Sequence, residues 1–152
     1  MANINGAFGL RPLAKMGQNV NSTGATEYRI SASNSNAIYQ GSPVIPLSTG
    51  FIDIVGAAAG GTVGLLGAFY GCEYVSSTTG ETVFSNFYPG SGADSNFPVK
   101  AFVYDDPSQL YVIASDASLT DEATARAAVF ANANFSSGTS GSTATGMSSA
   151  AF

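Results

Sequence analysis

Turn-forming residues recur at short intervals between Thr26 and Ser115, and this spacing strongly constrains the fold. The clearest cases are the segments Asn34–Asn36, Thr49-Gly50, Thr78–Glu81 and Asp105–Ser108. Asn, Asp, Gly, Pro and Ser favour turns because they tolerate unusual backbone angles or bond their own backbone. The intervals between these turns suit strands better than helices, which usually run for about 8–20 residues. The sequence therefore predicts a series of short strands.

Two segments carry the strongest strand signals. Val99–Tyr104 is rich in β-branched and aromatic residues, and the apolar run Val63–Val75 leads through a turn into Thr82–Phe84 as a hairpin. Shorter strands are expected at Glu27–Ile30, Ala37–Gln40, Pro43–Leu47, Phe51–Val55 and Leu110–Ser115. This pattern predicts a mainly β fold whose body is an antiparallel β-sandwich or a small β-barrel.

The composition divides the chain into three parts. Residues 1–25 form an extended N-terminal arm, residues 26–131 the β-rich body, and residues 132–152 a tail rich in Ser, Gly, Thr and Ala. The body ends in one short helix, for which Thr120 is the expected cap and Ala123–Ala131 supply good helix formers. Because such a tail cannot build a core, we expect it to be disordered or to lie across a neighbouring subunit.

The charge balance argues against two classes of partner. Five Lys and Arg residues face ten Asp and Glu residues, which leaves a net charge of −5. Nucleic acids and anionic membrane surfaces would repel such a chain. The uncharged stretch Ile54–Cys72 has the length of a membrane span, but its six glycines favour a Gly-rich loop followed by a buried strand. No secretory signal is readable at the N-terminus. We expect neither nucleic-acid nor membrane binding.

Residues that could carry catalysis are scarce. The chain has no His and a single Cys, so His-dependent nucleophiles, metal-binding His or Cys clusters and internal disulfides are excluded. Asp105-Asp106 precedes Pro107 and is expected to open a turn, while Asp121-Glu122 suits a helix N-terminus. We expect a protein that is not an enzyme and holds no cofactor or metal.

Apolar residues near both termini are the candidate contacts with partners. Only 10% of the residues are charged, and a surface so poor in charge is weakly protected against association. Arg11 is the one charge between Phe8 and Pro12, which makes it the expected anchor of the arm. The full set of candidate contacts is Phe8, Leu10, Arg11, Leu13, Phe130, Phe135, Met147 and Phe152.

Several segments resemble, in the same order, small structural proteins of tailed bacteriophages. They are Met1-Ala2-Asn3 with Gly6–Pro12, Leu66–Tyr74, Thr82–Pro89, Val99–Pro107 and Gly141–Ser148. The resemblance implies a virion component, a capsid decoration (cement) protein. Its partner would be the major capsid protein on the outer surface of the shell, reached after synthesis in the host cytoplasm.

Other assignments stay open at the level of sequence. Self-association is expected as a homotrimer near capsid three-fold axes, with a dimer at two-fold axes as the alternative. A different virion part would also suit the composition: a head-fibre base, a connector or a tail tube subunit. A third possibility is a carbohydrate-binding adhesive module that uses exposed aromatic residues.

Overall fold

A computed structural model describes residues 6–16, 24–56, 64–115, 121–132, 134–135 and 140–151. As predicted, the chain is mainly β, with antiparallel sheets and one helix. The strands in chain order are β1 (Arg11–Lys15), β2 (Thr26–Ile30), β3 (Pro43–Pro46), β4 (Ile52–Ile54), β5 (Gly67–Val75), β6 (Thr82–Ser85), β7 (Val99–Tyr104), β8 (Gln109–Val112), β9 (Gly141–Ser142) and β10 (Met147–Ser148), and the helix α1 (Glu122–Ala128) lies between β8 and β9.

Six strands form the central sheet in the order β2-β7-β5-β3-β4, with β6 pairing to the second half of β5. A register shift between Phe69 and Gly71 bends β5 where it pairs with β7. The sheet curls until β2 approaches β4, but the two do not pair. The described strands therefore make an open, sandwich-like body and not a closed barrel. β1 and β8 form a separate two-stranded ribbon, and β9 pairs with β10.

The hydrophobic core lies on the inner face of the central sheet. In β7, Val99, Ala101 and Val103 are buried, while the alternate residues reach the other face, because side chains of a strand point to opposite sides in turn. Fully burying a Val, Ile or Phe side chain stabilises the fold by about 1.5–3 kcal/mol. The rest of the cluster comprises Ile30, Ile38, Val44, Ile52, Ile54, Phe69, Cys72 and Tyr88.

A buried carboxylate fastens the loop after β2 to the edge of the sheet. Asp53 in β4 is 8% exposed. It accepts hydrogen bonds from the Asn34 and Asn36 side-chain amides at 2.9 and 3.0 Å and from the Ile54 N–H at 2.7 Å. Buried polar groups need such partners because an unpaired one costs about 1–3 kcal/mol. Asp53 of β4 thus holds the predicted Asn34–Asn36 turn in place.

Local signals predicted some elements closely and others less well. The hairpin joins β5 and β6 with Val75 opposite Thr82, and β7 has the predicted bounds. Ala37–Gln40 does not form a strand and contributes only isolated bridges. Ile38 bridges to Tyr88 and Gln40 bridges to Met147, so the segment does not pair continuously with any one strand.

The helix also differs from its predicted form. It begins at Glu122, and Asp121 is its cap: the Thr124 N–H donates to Asp121 Oδ1 at 2.7 Å. It ends at Ala128 because Val129 takes an extended conformation. The expected cap, Thr120, lies outside the described residues.

Both terminal segments pack on the body of their own chain. β1 lies inside the expected arm and pairs with β8. In the tail, the Gln40 N–H donates to the Gly146 carbonyl, and the Ser148 N–H donates to the Gln40 carbonyl, both at 2.9 Å. Ser148 and Ala150 are buried. Residues 140–151 are therefore ordered on their own chain and not disordered, while packing across a neighbouring subunit stays a prediction.

Candidate partner-binding surface

Four of the predicted contact residues line one groove. Phe8, Leu10 and Arg11 come from the N-terminal segment, and Met147 comes from β10. The groove has a volume of about 290 Å³, and Tyr70, Tyr104 and Gln40 are among its other lining residues. Residues almost 140 positions apart in the sequence therefore contribute to the same surface, which we call the terminal groove.

The terminal groove is assembled by backbone hydrogen bonds around Gly9 and Gly41. The Leu10 N–H donates to the Gly41 carbonyl at 2.8 Å, and the Gly9 N–H donates to the Ala150 carbonyl at 3.2 Å. Both glycines have positive φ, 72° and 85°, which costs glycine little. Leu10 is thereby buried and anchors the segment, whereas Phe8 stays half-exposed.

Arg11 supplies the one charge of the terminal groove. Its guanidinium carbon lies 4.6 Å from the centroid of the Phe8 ring. A cation over an aromatic face gains about 0.5–1 kcal/mol at an exposed site. The contact holds the charge beside an apolar surface. That arrangement suits a partner that presents a carboxylate next to apolar side chains.

Aromatic side chains form the wall of the terminal groove. Tyr70 and Tyr104 lie with their ring centroids 5.3 Å apart, and burial together with Tyr70 raises the pKa of Tyr104. A second, shallower depression continues from Gln40 and Tyr70 toward Phe102 and Phe84. Phe84 is 73% exposed. These rings extend the apolar surface across the outer side of the sheet.

The ribbon of β1 and β8 presents a second apolar surface. Leu13 and Met16 are 68% and 63% exposed, and Leu110 and Val112 on β8 are 41% and 42% exposed. We call these four residues the ribbon face. Only Leu13 was among the predicted contacts. The alternation in Gln109-Leu110-Tyr111-Val112 was a signal for Leu110 and Val112, since Gln109 is buried while these two residues face solvent.

The remaining predicted contacts do not join these surfaces. Phe130 follows α1, has a positive φ of 65° and is fully exposed; every residue of α1 is exposed as well. Phe135 is half-buried, and neither residue lines the terminal groove. Phe152 lies outside the described residues.

The acidic residues of the Asp105-Asp106 turn have structural partners. Asp105 accepts hydrogen bonds from the Thr26 and Tyr28 hydroxyls at 2.8 and 2.7 Å. Asp106 pairs with Lys15 at 2.6 Å, and this lysine lowers the pKa of the carboxyl. The turn therefore ties β2 and β1 to the end of β7.

Groups with chemical reactivity are few in the described part of the chain. It contains no cluster of three His, Cys, Asp or Glu residues placed to hold a metal ion. Burial raises the pKa of the Cys72 thiol to about 12, so the thiol stays protonated near neutral pH. No helix among the described residues is long and apolar enough to cross a membrane.

Comparisons with known proteins add no relative. No protein-family model, no curated protein and no solved structure matches the chain.

Proposed function

We propose that the protein is a non-enzymatic capsid decoration (cement) protein of a tailed bacteriophage. It binds the assembled shell of the major capsid protein on its outer surface and stabilises that shell through contacts between subunits. The proposal rests on the resemblance of the sequence segments together with the character of the surface around the N-terminal strand.

The observation that carries the proposal is that β1 contributes residues to two apolar surfaces. The ribbon face exposes four large apolar side chains, and the terminal groove places Arg11 as a single charge among aromatic rings. Exposed apolar surfaces of this kind typically mark interaction sites. Binding to a partner is the activity that these exposed apolar surfaces support.

Binding of this kind stabilises a shell by mass action. A protein that binds only the assembled, expanded shell lowers the free energy of that state by an amount set by its concentration and affinity. Many copies related by capsid symmetry act together, so a modest contact of about 800 Å² per partner is enough for each copy.

The direct test adds the purified protein to expanded and unexpanded shells of the source phage. We expect saturable binding to expanded shells, hundreds of copies per virion and a higher temperature of shell disruption. A handful of copies per virion would identify a connector or fibre component instead. Absence from purified virions, or no binding to expanded shells, would contradict the proposal.

A second candidate function, carbohydrate binding, is favoured by another depression. Phe51 and Phe97 line it with Arg29 and Asn96, and its volume is about 410 Å³. Aromatic rings beside amide and guanidinium groups are suited to sugars, since the rings stack on C–H faces while the polar groups bind hydroxyls. A glycan array would support this function if binding were saturable and lost in Phe97→Ala. Equal signals for both proteins would remove it.

A further inference from the structure

A depression lies where β2 ends and where β4 and β7 begin. Arg29 and Ile30 are the last residues of β2, Phe51 immediately precedes β4, and Phe97 lies two residues before β7. The volume of the depression is about 410 Å³, within the range of roughly 300–1,000 Å³ that is usual for small-molecule sites. It shares no lining residue with the terminal groove. We call it the Arg29 depression.

Arg29 is the only charged side chain among the residues that line this depression. It is exposed and makes no ion pair, side-chain hydrogen bond or ring contact in the part of the chain that the structure describes. Lys100 lies opposite it on β7 and takes up the carboxylate of Glu73 at 3.3 Å. Glu27 lies two residues before Arg29 and does not pair with it. A guanidinium offers five N–H donors in a plane, and a carboxylate is the group that matches them best.

Two aromatic rings border the Arg29 depression. Phe97 is 50% exposed and Phe51 is half-buried. Neither ring stacks on another ring or on a cation among the described residues. A small inorganic anion bound at Arg29 would leave both rings without a contact. The rings therefore favour an organic ligand with an apolar face, such as the C–H face of a sugar ring.

Hydroxyl and amide groups complete the lining. The Ser31 and Ser33 hydroxyl oxygens lie 2.8 Å apart, and since only one of them donates to the other, one hydroxyl hydrogen is left for a ligand. Asn96 donates from Nδ2 to Asp94 Oδ1 at 2.8 Å. That bond orients the amide, whose carbonyl oxygen accepts from no described residue. Donors and acceptors next to aromatic rings are what a ligand with several hydroxyls requires.

We propose that the Arg29 depression binds a saccharide that carries a carboxylate, such as a hexuronic acid or a sialic acid. Arg29 binds the carboxylate through two parallel N–H···O bonds. Phe51 and Phe97 contact the C–H face of the sugar, while the serine and asparagine groups bind its hydroxyls. The inference rests on the second candidate function, carbohydrate binding, and names the class of ligand. It is independent of capsid binding, because the two sites share no lining residue.

The test compares two ligands that differ only at the carboxylate. In methyl β-D-glucoside a CH₂OH group stands where methyl β-D-glucuronide has the carboxylate. Nuclear magnetic resonance titration of the full chain measures both affinities. We expect saturable binding of the glucuronide, at least about tenfold tighter than that of the glucoside, because a charge-assisted hydrogen bond is about twice as strong as a neutral one. Added salt should weaken the glucuronide complex and leave the glucoside complex unchanged.

Three variants locate the recognition of the carboxylate and of the sugar ring. Arg29→Ala should lower the affinity for the glucuronide to that for the glucoside, and should leave the glucoside affinity unchanged. Phe97→Ala should weaken both complexes, because both sugars present the same C–H face. Arg126→Ala is the matched control: it removes the same charge from an exposed helical residue outside the depression, and both affinities should stay as in the wild type. Circular dichroism of each variant confirms that it is folded.

The possible failures of the ligand class and of the function are distinguishable. Equal affinities for the two sugars, or a glucuronide affinity that is unchanged in Arg29→Ala, would overturn the inference and leave carbohydrate binding standing. Sodium acetate that binds as tightly as the glucuronide would also overturn it, because the site would then recognise a carboxylate without a sugar. Binding of neither sugar would contradict carbohydrate binding itself, and the inference with it.

Discussion

The backbone N–H of Gly9 donates to the carbonyl oxygen of Ala150 across 3.2 Å and joins the N-terminal segment to the tail. Gly9 lies before β1, and Ala150 lies after β10. The contact makes the two terminal segments part of one packed unit. Changes to either segment should therefore affect folding as well as binding.

Gly9→Ala is expected to destabilise the fold strongly. Gly9 has a φ of 72°, and an added Cβ would lie 2.5 Å from the Gly41 carbonyl oxygen. We expect a loss of about 3 kcal/mol in the free energy of unfolding, from backbone strain and overpacking together. The matched control is Gly50→Ala, whose φ is 82° but whose Cβ would meet nothing within 4 Å; it should cost about 1 kcal/mol. Equal losses in urea denaturation would show that the contact with Gly41 is unimportant.

Short-range sequence signals were sufficient for some elements. Val99–Tyr104 is rich in β-branched and aromatic residues and precedes an Asp-Asp-Pro turn, so β7 was predictable from its own residues. β1 was not predictable, because Arg11–Lys15 has no alternation and pairs with β8, whose residues lie about 100 positions away. Pairing over that distance depends on tertiary packing that local propensity does not describe.

The terminal groove was likewise predictable only in part. Phe8, Arg11 and Met147 were each predictable as apolar or charged outliers in their segments. Their shared location was not predictable, because it depends on backbone bonds of Gln40 and Gly41 to both termini. For Leu110 and Val112 the sequence predicts only a strand, because their exposure depends on which side of the ribbon faces the body.

Asp53→Asn is expected to destabilise the protein by about 2–4 kcal/mol. Each carboxylate oxygen now accepts from an Asn amide, and an amide in place of Asp53 would put one donor against another. A buried donor without an acceptor costs its full desolvation. Urea denaturation measures the change, with Glu81→Gln as an exposed control that should stay within about 0.5 kcal/mol. A loss as small as that of the control would contradict the structural role of Asp53.

The Cys72 thiol is expected to resist alkylation in the folded protein. Burial raises its pKa to about 12, so at pH 8 roughly one thiol in ten thousand is ionised. Because the pKa is raised only in the folded state, the free energy of unfolding keeps its full value below the unfolded thiol pKa of about 8.5. It falls as the pH rises from there toward 12, since only the unfolded state then loses the proton. Iodoacetamide labelling followed by mass spectrometry should be slow in buffer and fast in urea. Equal rates at pH 8 would show that Cys72 is accessible.

Arg11→Ala is expected to weaken binding to expanded shells and to reduce the dependence of that binding on salt. The change removes the charge and its contact with Phe8. Arg11→Lys keeps the charge but loses the planar group that stacks on the ring, so it should retain the salt dependence with part of the affinity. Binding isotherms at several salt concentrations measure both effects. Unchanged affinity in Arg11→Ala at every salt concentration would remove Arg11 from the binding surface.

The most direct test of the proposed function compares cosedimentation of two variants with expanded shells. Leu13→Ser/Leu110→Ser replaces two of the four apolar residues of the ribbon face, while Phe97→Ser changes an exposed aromatic residue that lies outside the ribbon and the terminal groove. Both should fold like the wild type, because exposed substitutions change stability little. We expect the ribbon variant to stay in the supernatant while Phe97→Ser sediments with the shells. Equal sedimentation of both variants with the shells would contradict it.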